Sequence, residues 1–150
     1  MDKPICYSSP EAHTHMNMLQ GVISRMASNS ANCKALCTTL VSTVGAVAYA
    51  ANTPEGLWIA TIPIILLAFL DARYLSLEKG FVKTYNNFVE KLHAKKVIKT
   101  DLFIITPPKD YKQFNALCKA FASWSVCPIY FGLLILSGLI MFFIRFSETI

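Results

Sequence analysis

The chain has 150 residues, of which 54% are apolar and only 15% are charged. In soluble globular domains about a quarter of the residues are charged, and the core of a single domain of this length cannot bury so much apolar surface. The composition therefore excludes an ordinary water-soluble domain. It predicts that the excess apolar surface faces lipid or other copies of the chain.

The first predicted element is a helix that begins at Pro10. Ser9 can cap it, proline is favoured at the first helical position, and Glu11 complements the helix dipole. Apolar residues then recur at steps of four and three, which predicts one packed face: Ala12, Met16, Leu19, Ile23 and Met26. A polar stripe on the opposite face is either solvated surface or the lining of a vestibule or ligand cleft: His13, Asn17, Gln20, Ser24 and Ser28.

Three uncharged stretches predict transmembrane helices. Residues 35–53 and 56–70 are separated by a two-residue turn and predict a tight hairpin. The second stretch is too short for the hydrocarbon layer, so its helix is expected to continue through residues 71–75. The third stretch, residues 120–144, would form a helix about 37 Å long, which is enough to span a bilayer with some tilt.

The fold class that follows is an all-α membrane protein. It has three transmembrane helices with long cytoplasmic helical extensions, and the cytoplasmic loop has room for one short β element. The predicted segments are a cytoplasmic N-terminal helix (1–34), a transmembrane hairpin (35–75), a basic cytoplasmic segment (76–119), a third transmembrane helix (120–144) and an external tail (145–150). The short apolar run Leu102–Ile105, stopped by Pro107 and Pro108, would either pair with a second strand or form an apolar plug.

The distribution of Lys and Arg predicts the orientation. Residues 71–119 hold ten of the 14 basic residues and five of the nine acidic residues, so their net charge of +5 equals that of the whole chain. This segment is expected in the cytoplasm together with the N-terminus. Three spans then place the C-terminus outside the cell.

Two ion pairs are predicted where the inner ends of the first two spans meet. Lys34 can approach Asp71, and Arg25 can approach Glu78 one to two turns deeper. A charge left alone near hydrocarbon is costly, so structural pairing is favoured over contact with a ligand.

The basic segment offers candidate ligand-binding side chains: Lys79, Lys83, Lys91, Lys95, Lys96 and Lys99. One interpretation is positive-inside bias with attraction to anionic lipid. The other is an anionic ligand, such as a nucleotide or a short oligonucleotide, whose phosphates meet a ring of lysines repeated by symmetry in an oligomer.

Small and hydroxyl residues at helical spacing mark one face of the first span: Thr38, Thr39, Ser42, Thr43, Ala46 and Ala50. Such residues let helix backbones approach closely, and hydroxyls can bond to the preceding turn or across an interface. The face is either a tight packing surface or the lining of a pore. Both interpretations predict self-association, because three short helices leave little room for an internal conduit.

No sequence motif for catalysis is recognised. The chain has no glycine-rich phosphate loop, no HExxH, no GxSxG and no paired metal-ligand motif. The sequence therefore predicts a protein that is not an enzyme, with no catalytic residues, no metal site and no cofactor.

Three segments carry a resemblance to known proteins: His15-x-Asn17-Met18-x-Gln20-Gly21-x-Ile23-x-Arg25-Met26-Ala27-x-Asn29-Ser30, then Thr39-Leu40-Val41, then Leu70-Asp71-Ala72-x-Tyr74-Leu75-x-Leu77-Glu78. They resemble a group of small bacterial three-span inner-membrane proteins over most of residues 13–144. Members of this type are similar to the membrane effectors encoded beside nucleotidyltransferases in anti-phage defence, including the Hailong type. The resemblance implies an oligomeric channel, governed by a nucleotide or single-stranded DNA oligomer, that depolarises the infected cell.

The leading hypothesis is thus a homo-oligomeric, tetrameric membrane effector in the bacterial inner membrane, gated by an anionic ligand made by a partner nucleotidyltransferase. One alternative is a non-conducting scaffold or accessory subunit that recruits a soluble partner through residues 12–26. Another is a holin-like lytic toxin that needs no ligand.

Overall fold

The computed structural model describes residues 9–108 and 114–148, so predictions about residues 1–8, 109–113 and 149–150 lie outside the described residues. The helices within the described ranges are α1 (Pro10–Ala50), α2 (Leu57–His93), α3 (Phe114–Phe121) and α4 (Cys127–Glu148). Two short 3₁₀ turns, Pro54–Gly56 and Lys99–Asp101, lie in the connections that follow α1 and α2.

Helix α1 begins where the sequence predicts. The Ser9 hydroxyl accepts a hydrogen bond from the backbone N–H of Ala12 at 3.3 Å, and Pro10 occupies the first helical position. The helix then runs unbroken for 41 residues. At 1.5 Å per residue this is about 62 Å, roughly twice the thickness of a hydrocarbon layer, so α1 extends well beyond its apolar half.

The connection between α1 and α2 is the predicted tight turn. Asn52 adopts a left-handed conformation with φ of 53°, which asparagine tolerates better than most residues. The Thr53 N–H donates to the Ala48 carbonyl at 3.0 Å and closes the turn. Helix α2 then continues for 37 residues, through Asp71 and on to His93, as predicted.

Three of the helices, α1, α2 and α4, are long and apolar enough to cross a membrane. Large apolar side chains are exposed all along their apolar segments, including Leu36, Leu40, Val47, Trp58, Ile62, Leu66, Phe69, Phe131, Ile135, Leu139 and Phe143. The protein is therefore a membrane protein. We call residues 35–70 together with α4 the apolar band.

The three spans alternate in direction. Arg145, near the end of α4, contacts Glu55 in the hairpin turn at 3.4 Å. Ala48, Leu57 and Ile144 form a buried apolar cluster at the same end of the molecule. The C-terminal end of α4 thus lies beside the turn, and α4 is antiparallel to α2.

The third span begins later than predicted. Residues 120–144 are not one helix, because α3 ends at Phe121 and α4 begins at Cys127. The Ser123 carbonyl accepts hydrogen bonds from the N–H groups of Val126 at 3.1 Å and Cys127 at 3.0 Å, which forms a turn. Pro128 is tolerated only in the first helical turn, so it fixes the start of α4. The helix also continues past residue 144 into the predicted tail.

The predicted β element does not form. Within the described residues the backbone contains no strand, and Leu102–Ile105 follows a 3₁₀ turn at Lys99–Asp101. Asp101 caps this turn by accepting the Ile98 N–H at 3.2 Å. Phe103 has a φ of 63°, which is incompatible with an extended strand, and its N–H donates to the His15 side chain at 3.1 Å. The run packs onto α1 instead of pairing with another strand.

Beyond the apolar band, α1 and α2 pack on each other and on the segment that follows α2. We call residues 10–30, 76–93 and 94–106 the extension bundle. Its core is built from both helices and the loop: Ala12, Met16, Phe88, Leu92 and Val97. The predicted apolar seam of α1 is thus buried within the chain at Ala12, Met16 and Leu19, and half-buried at Ile23 and Met26. The polar stripe on the other face is exposed.

Candidate functional site

A polar cluster lies where the apolar band meets the extension bundle. Ser30 and Lys34 are one turn apart on α1 and therefore share a face. They meet Asp71 of α2, whose side chain is fully buried, whereas that of Lys34 is 18% exposed. The predicted Lys34–Asp71 pair is thus present, with an additional hydroxyl.

The cluster is closely hydrogen-bonded. The Lys34 Nζ lies 2.8 Å from Asp71 Oδ1 and 2.7 Å from Asp71 Oδ2. The Ser30 hydroxyl donates to Asp71 Oδ1 at 2.5 Å and accepts from Lys34 Nζ at 2.8 Å. Because both carboxylate oxygens meet the ammonium, the buried charge is compensated, as a position near hydrocarbon requires.

A third helix reaches the same cluster. Tyr130, in the first turn of α4, is buried in the same apolar core as Ala72, the neighbour of Asp71 on α2. The Tyr130 hydroxyl has no partner of good hydrogen-bond geometry among the described residues. Around it lie Cys33 and Cys37 of α1, which are buried as small core residues. The cluster therefore joins α1, α2 and α4 at one level.

The second predicted pair does not form. Arg25 is exposed and Glu78 is half-buried, and no ion pair connects them in the part of the chain that the structure describes. Each lies in the extension bundle, where water can solvate a charge. The desolvation cost that requires Asp71 to be paired is therefore absent at Arg25 and Glu78.

The predicted pore or packing face of α1 lies on the outside of the single chain. All six of its residues are exposed: Thr38, Thr39, Ser42, Thr43, Ala46 and Ala50. The opposite side of this half of α1 packs against α2 and α4 through Cys37, Val41 and Gly45. The helices of the same chain thus leave the small-residue face uncovered.

Hydroxyl groups on this face are bonded along their own helix. Thr38 donates to the Lys34 carbonyl at 2.9 Å, Thr39 to the Ala35 carbonyl at 2.9 Å and Thr43 to the Thr39 carbonyl at 2.8 Å. Such bonds satisfy the hydroxyl protons within the helix. The oxygen lone pairs remain available to water, to an ion or to a neighbouring helix.

The exposed surface of this half of α1 has two different flanks. The six small and hydroxyl residues occupy one flank, and Leu36, Leu40 and Val47 occupy the other. Ser42 and Leu40 are about 160° apart around the helix axis, whereas Thr43 and Leu36 are about 20° apart, so the two flanks adjoin. Branched apolar side chains suit contact with lipid, whereas small residues suit close approach of helices.

The predicted lysines are all exposed and do not gather in one place within a single chain. Lys79 and Lys91 are separated by about 18 Å along α2. Lys91 forms an exposed ion pair with Asp101 at 3.4 Å. Lys95 has a φ of 55° and, with Lys96, ends α2 by bonding back to Leu92 and Lys91. Part of the lysine cluster thus complements the negative end of the α2 dipole.

Two members of the polar cluster, Ser30 and Tyr130, were missed in the sequence. Ser30 carries a usable signal, because it precedes Lys34 by one helical turn. Tyr130 carries none, because its position depends on how α4 docks against the hairpin after the turn at residues 122–126.

Comparison with family models, with curated protein sequences and with solved structures finds no match to this chain. A neutral, closely bonded cluster links the three spans, and a small-residue flank is left uncovered in the apolar band.

Proposed function

We propose that this protein is a homo-oligomeric membrane channel of bacterial anti-phage defence, opened or closed by an anionic nucleotide signal. The observation that carries the proposal is the uncovered flank of α1 that includes Ser42 and Ala46. Placed around a common axis, four copies would turn this flank inward and leave Leu40 and Val47 toward lipid.

The orientation in the proposal rests on charge. The basic segment at residues 71–119 would lie in the cytoplasm of a bacterial inner membrane, with the C-terminus outside. The extension bundle would then meet a cytoplasmic nucleotide or single-stranded DNA oligomer made by a partner nucleotidyltransferase. The resemblance to membrane effectors encoded beside such enzymes supports this assignment.

A scaffold that recruits its partner through residues 12–26 is less well supported. The apolar residues of that seam, Ala12, Met16 and Leu19, are buried against the chain's own α2 and loop. They are therefore not available to a partner without unfolding the extension bundle.

The first experiment measures conduction. Full-length protein is reconstituted in phosphatidylethanolamine and phosphatidylglycerol vesicles, and potassium flux is followed together with the membrane potential of cells that produce the protein without its regulatory partner. If the signal closes the channel, we expect flux and depolarisation without it; if the signal opens the channel, we expect flux only when nucleotide is added to the vesicles. No flux in either condition, with verified membrane insertion, would contradict the channel, and flux that no nucleotide affects would favour the holin-like alternative.

The second experiment asks which flank of α1 faces the pore. Ser42→Cys and Leu40→Cys are made in a background without the native cysteines and treated with a charged, water-soluble thiol reagent. Modification should reduce flux through the Ser42→Cys variant at least several-fold and leave the matched Leu40→Cys variant unchanged. Equal responses would mean that the small-residue flank only packs.

A further inference from the structure

A cavity of about 240 Å³ lies in the extension bundle, between α2 and the segment that follows Asp101. Residues from both helices and from the loop line it: His15, Thr84, Asn87, Phe88, Lys91 and Asp101. Only one of these, Lys91, belongs to the lysines that the sequence singles out. The cavity is therefore a different candidate site from the exposed lysine cluster.

The floor of the cavity is aromatic and carries a buried hydrogen-bond donor. His15 is 1% exposed, and its ring meets Phe88 edge to face with centroids 4.4 Å apart. Its Nδ1 accepts the Phe103 N–H, so the neutral ring carries its proton on Nε2. The Nε2–H is the remaining donor of a ring that lines the cavity. A ligand in the cavity can supply an acceptor for it.

Most polar groups that line the cavity already form hydrogen bonds or ion pairs within the chain, so few of them remain available to a ligand. The single hydroxyl proton of Thr84 is within reach of two carbonyl acceptors, Gly80 at 3.2 Å and Thr106 at 3.3 Å. The Asp101 carboxylate accepts from Lys91 and from the Ile98 N–H. Lys91 keeps two further N–H donors.

Asn87 completes the set of groups available to a ligand, because an exposed amide can both donate and accept. Its partners in a ligand would be a neighbouring acceptor and donor on the edge of a planar ring. Lys91 supplies the one ammonium group among the described lining residues, and it is the place where an anionic group of a ligand would bind.

We propose that this cavity binds a single nucleotide unit, either a free nucleoside monophosphate or the 5′-terminal nucleotide of a DNA oligomer. The base would lie against Phe88 and the His15 Nε2–H, with its edge on Asn87, and the phosphate would meet Lys91. At about 240 Å³ the cavity is smaller than the roughly 300–1,000 Å³ of most small-molecule sites, so it does not enclose more than one unit. The inference rests on the proposed function, since it names the place where the nucleotide signal binds.

The site is connected to the proposed pore by one rigid element. His15 and Ser42 lie on the same unbroken helix, 27 residues or about 40 Å apart. A nucleotide that bridges α1, α2 and the loop would fix the end of this helix. The Lys34–Asp71 cluster lies between the two sites and holds α1 against α2.

The test is a binding measurement on the full chain in detergent micelles, which does not depend on conduction. The probes are the four deoxynucleoside 5′-monophosphates and a 5′-phosphorylated DNA oligomer of mixed sequence, and the readout is thermal unfolding as a function of probe concentration. We expect at least one probe to raise the melting temperature. Asn87→Ala and Lys91→Met should each weaken the apparent affinity about tenfold or more.

Matched controls lie next to the cavity residues. Asn86→Ala and Lys95→Met change exposed residues outside the lining and should alter the affinity by less than about threefold. A lipid headgroup offers the same phosphate chemistry, so inorganic phosphate and glycerol phosphate are measured in parallel. An equal shift with either, no shift with any nucleotide, or equal effects of Asn86→Ala and Asn87→Ala would each overturn the site.

The failure of the site and the failure of the channel give different results. Potassium flux without any nucleotide shift leaves the channel standing and overturns the site. A nucleotide shift that Asn87→Ala abolishes, without flux in vesicles, supports the site and overturns the channel.

Discussion

Helix α1 packs against the rest of the chain in two different ways along its length. In the extension bundle its buried residues include His15, Met16 and Leu19, which present long or aromatic side chains to α2 and the loop. In the apolar band its buried residues are small or short: Cys37, Val41, Gly45 and Ala48. The same helix thus uses large side chains in one half and close backbone approach in the other.

The difference follows from the two solvents. In water, burial of large apolar side chains stabilises the fold by roughly 25 cal/mol per Å². In lipid this driving force is absent, and helices associate through close van der Waals contact and polar links. Gly45, where an added Cβ would lie 3.3 Å from the Ile140 side chain, provides the close contact inside the apolar band. The Lys34–Asp71 cluster provides the polar link at its edge.

The largest expected effect on stability is at the Lys34–Asp71 cluster, where the extension bundle meets the apolar band. Lys34→Met leaves the buried Asp71 carboxylate without its cation, which should lower the free energy of unfolding by about 3–5 kcal/mol. The double variant Lys34→Met with Asp71→Leu removes both charges and should recover most of the loss. Denaturant unfolding in micelles compares the two. If the single and double variants were equally unstable, the pair would not be what holds the junction.

An intermediate effect is expected inside the apolar band. Gly45→Leu places a large side chain where even a Cβ is in tight contact with Ile140, and it should cost about 1–3 kcal/mol. Gly138→Leu is the matched control, because no atom lies within 4 Å of its Cβ position. Thermal unfolding of both variants tests the contrast. A similar melting temperature for the two would show that close approach of α1 and α4 is not required.

The smallest expected effect is in the extension bundle and depends on pH. His15 lies about 30 Å along α1 from the start of the apolar band, and burial lowers the pKa of its imidazole below the ordinary value near 6.5. The unfolded chain then binds the proton more readily, so stability is present above about pH 6.5 and is lost as pH falls below it.

Protonation would also replace the acceptor at Nδ1 with a donor and break the bond from the Phe103 N–H, at a cost of about 1 kcal/mol. The melting temperature of wild-type protein should therefore fall between pH 6.5 and pH 5 more than that of His15→Asn. His13→Asn, at an exposed position on the same helix, should keep the wild-type pH profile. Identical profiles for wild type and His15→Asn would refute the role of His15.

Local signals in the sequence were enough to predict the helices whose ends and composition depend only on nearby residues. Ser9 and Pro10 start α1, the turn at residues 51–56 separates the first two spans, and the alternation of apolar and polar residues predicts which face of residues 10–30 is buried. Each of these features depends on residues within a few turns of one another.

Long-range contacts account for what sequence reasoning missed. The run Leu102–Ile105 has strand-like composition, yet a hydrogen bond from Phe103 to His15, 88 positions away in sequence, fixes a different backbone conformation. Tyr130 joins the polar cluster only because the turn at residues 122–126 aims α4 at the hairpin. The cavity beside Asn87 likewise exists only where three separate segments meet.

Composition and periodicity by themselves determined that this chain has three apolar spans, helical extensions, and a pairing of Lys34 with Asp71. Those conclusions hold because a lipid environment requires helices without charges and a buried charge requires a partner. Both requirements can be recognised in short stretches of the sequence. The tertiary structure decided where α4 starts, that the small-residue flank of α1 is uncovered, and that His15 is buried beneath a cavity. These depend on the relative placement of distant segments, which only the packing of the whole chain supplies.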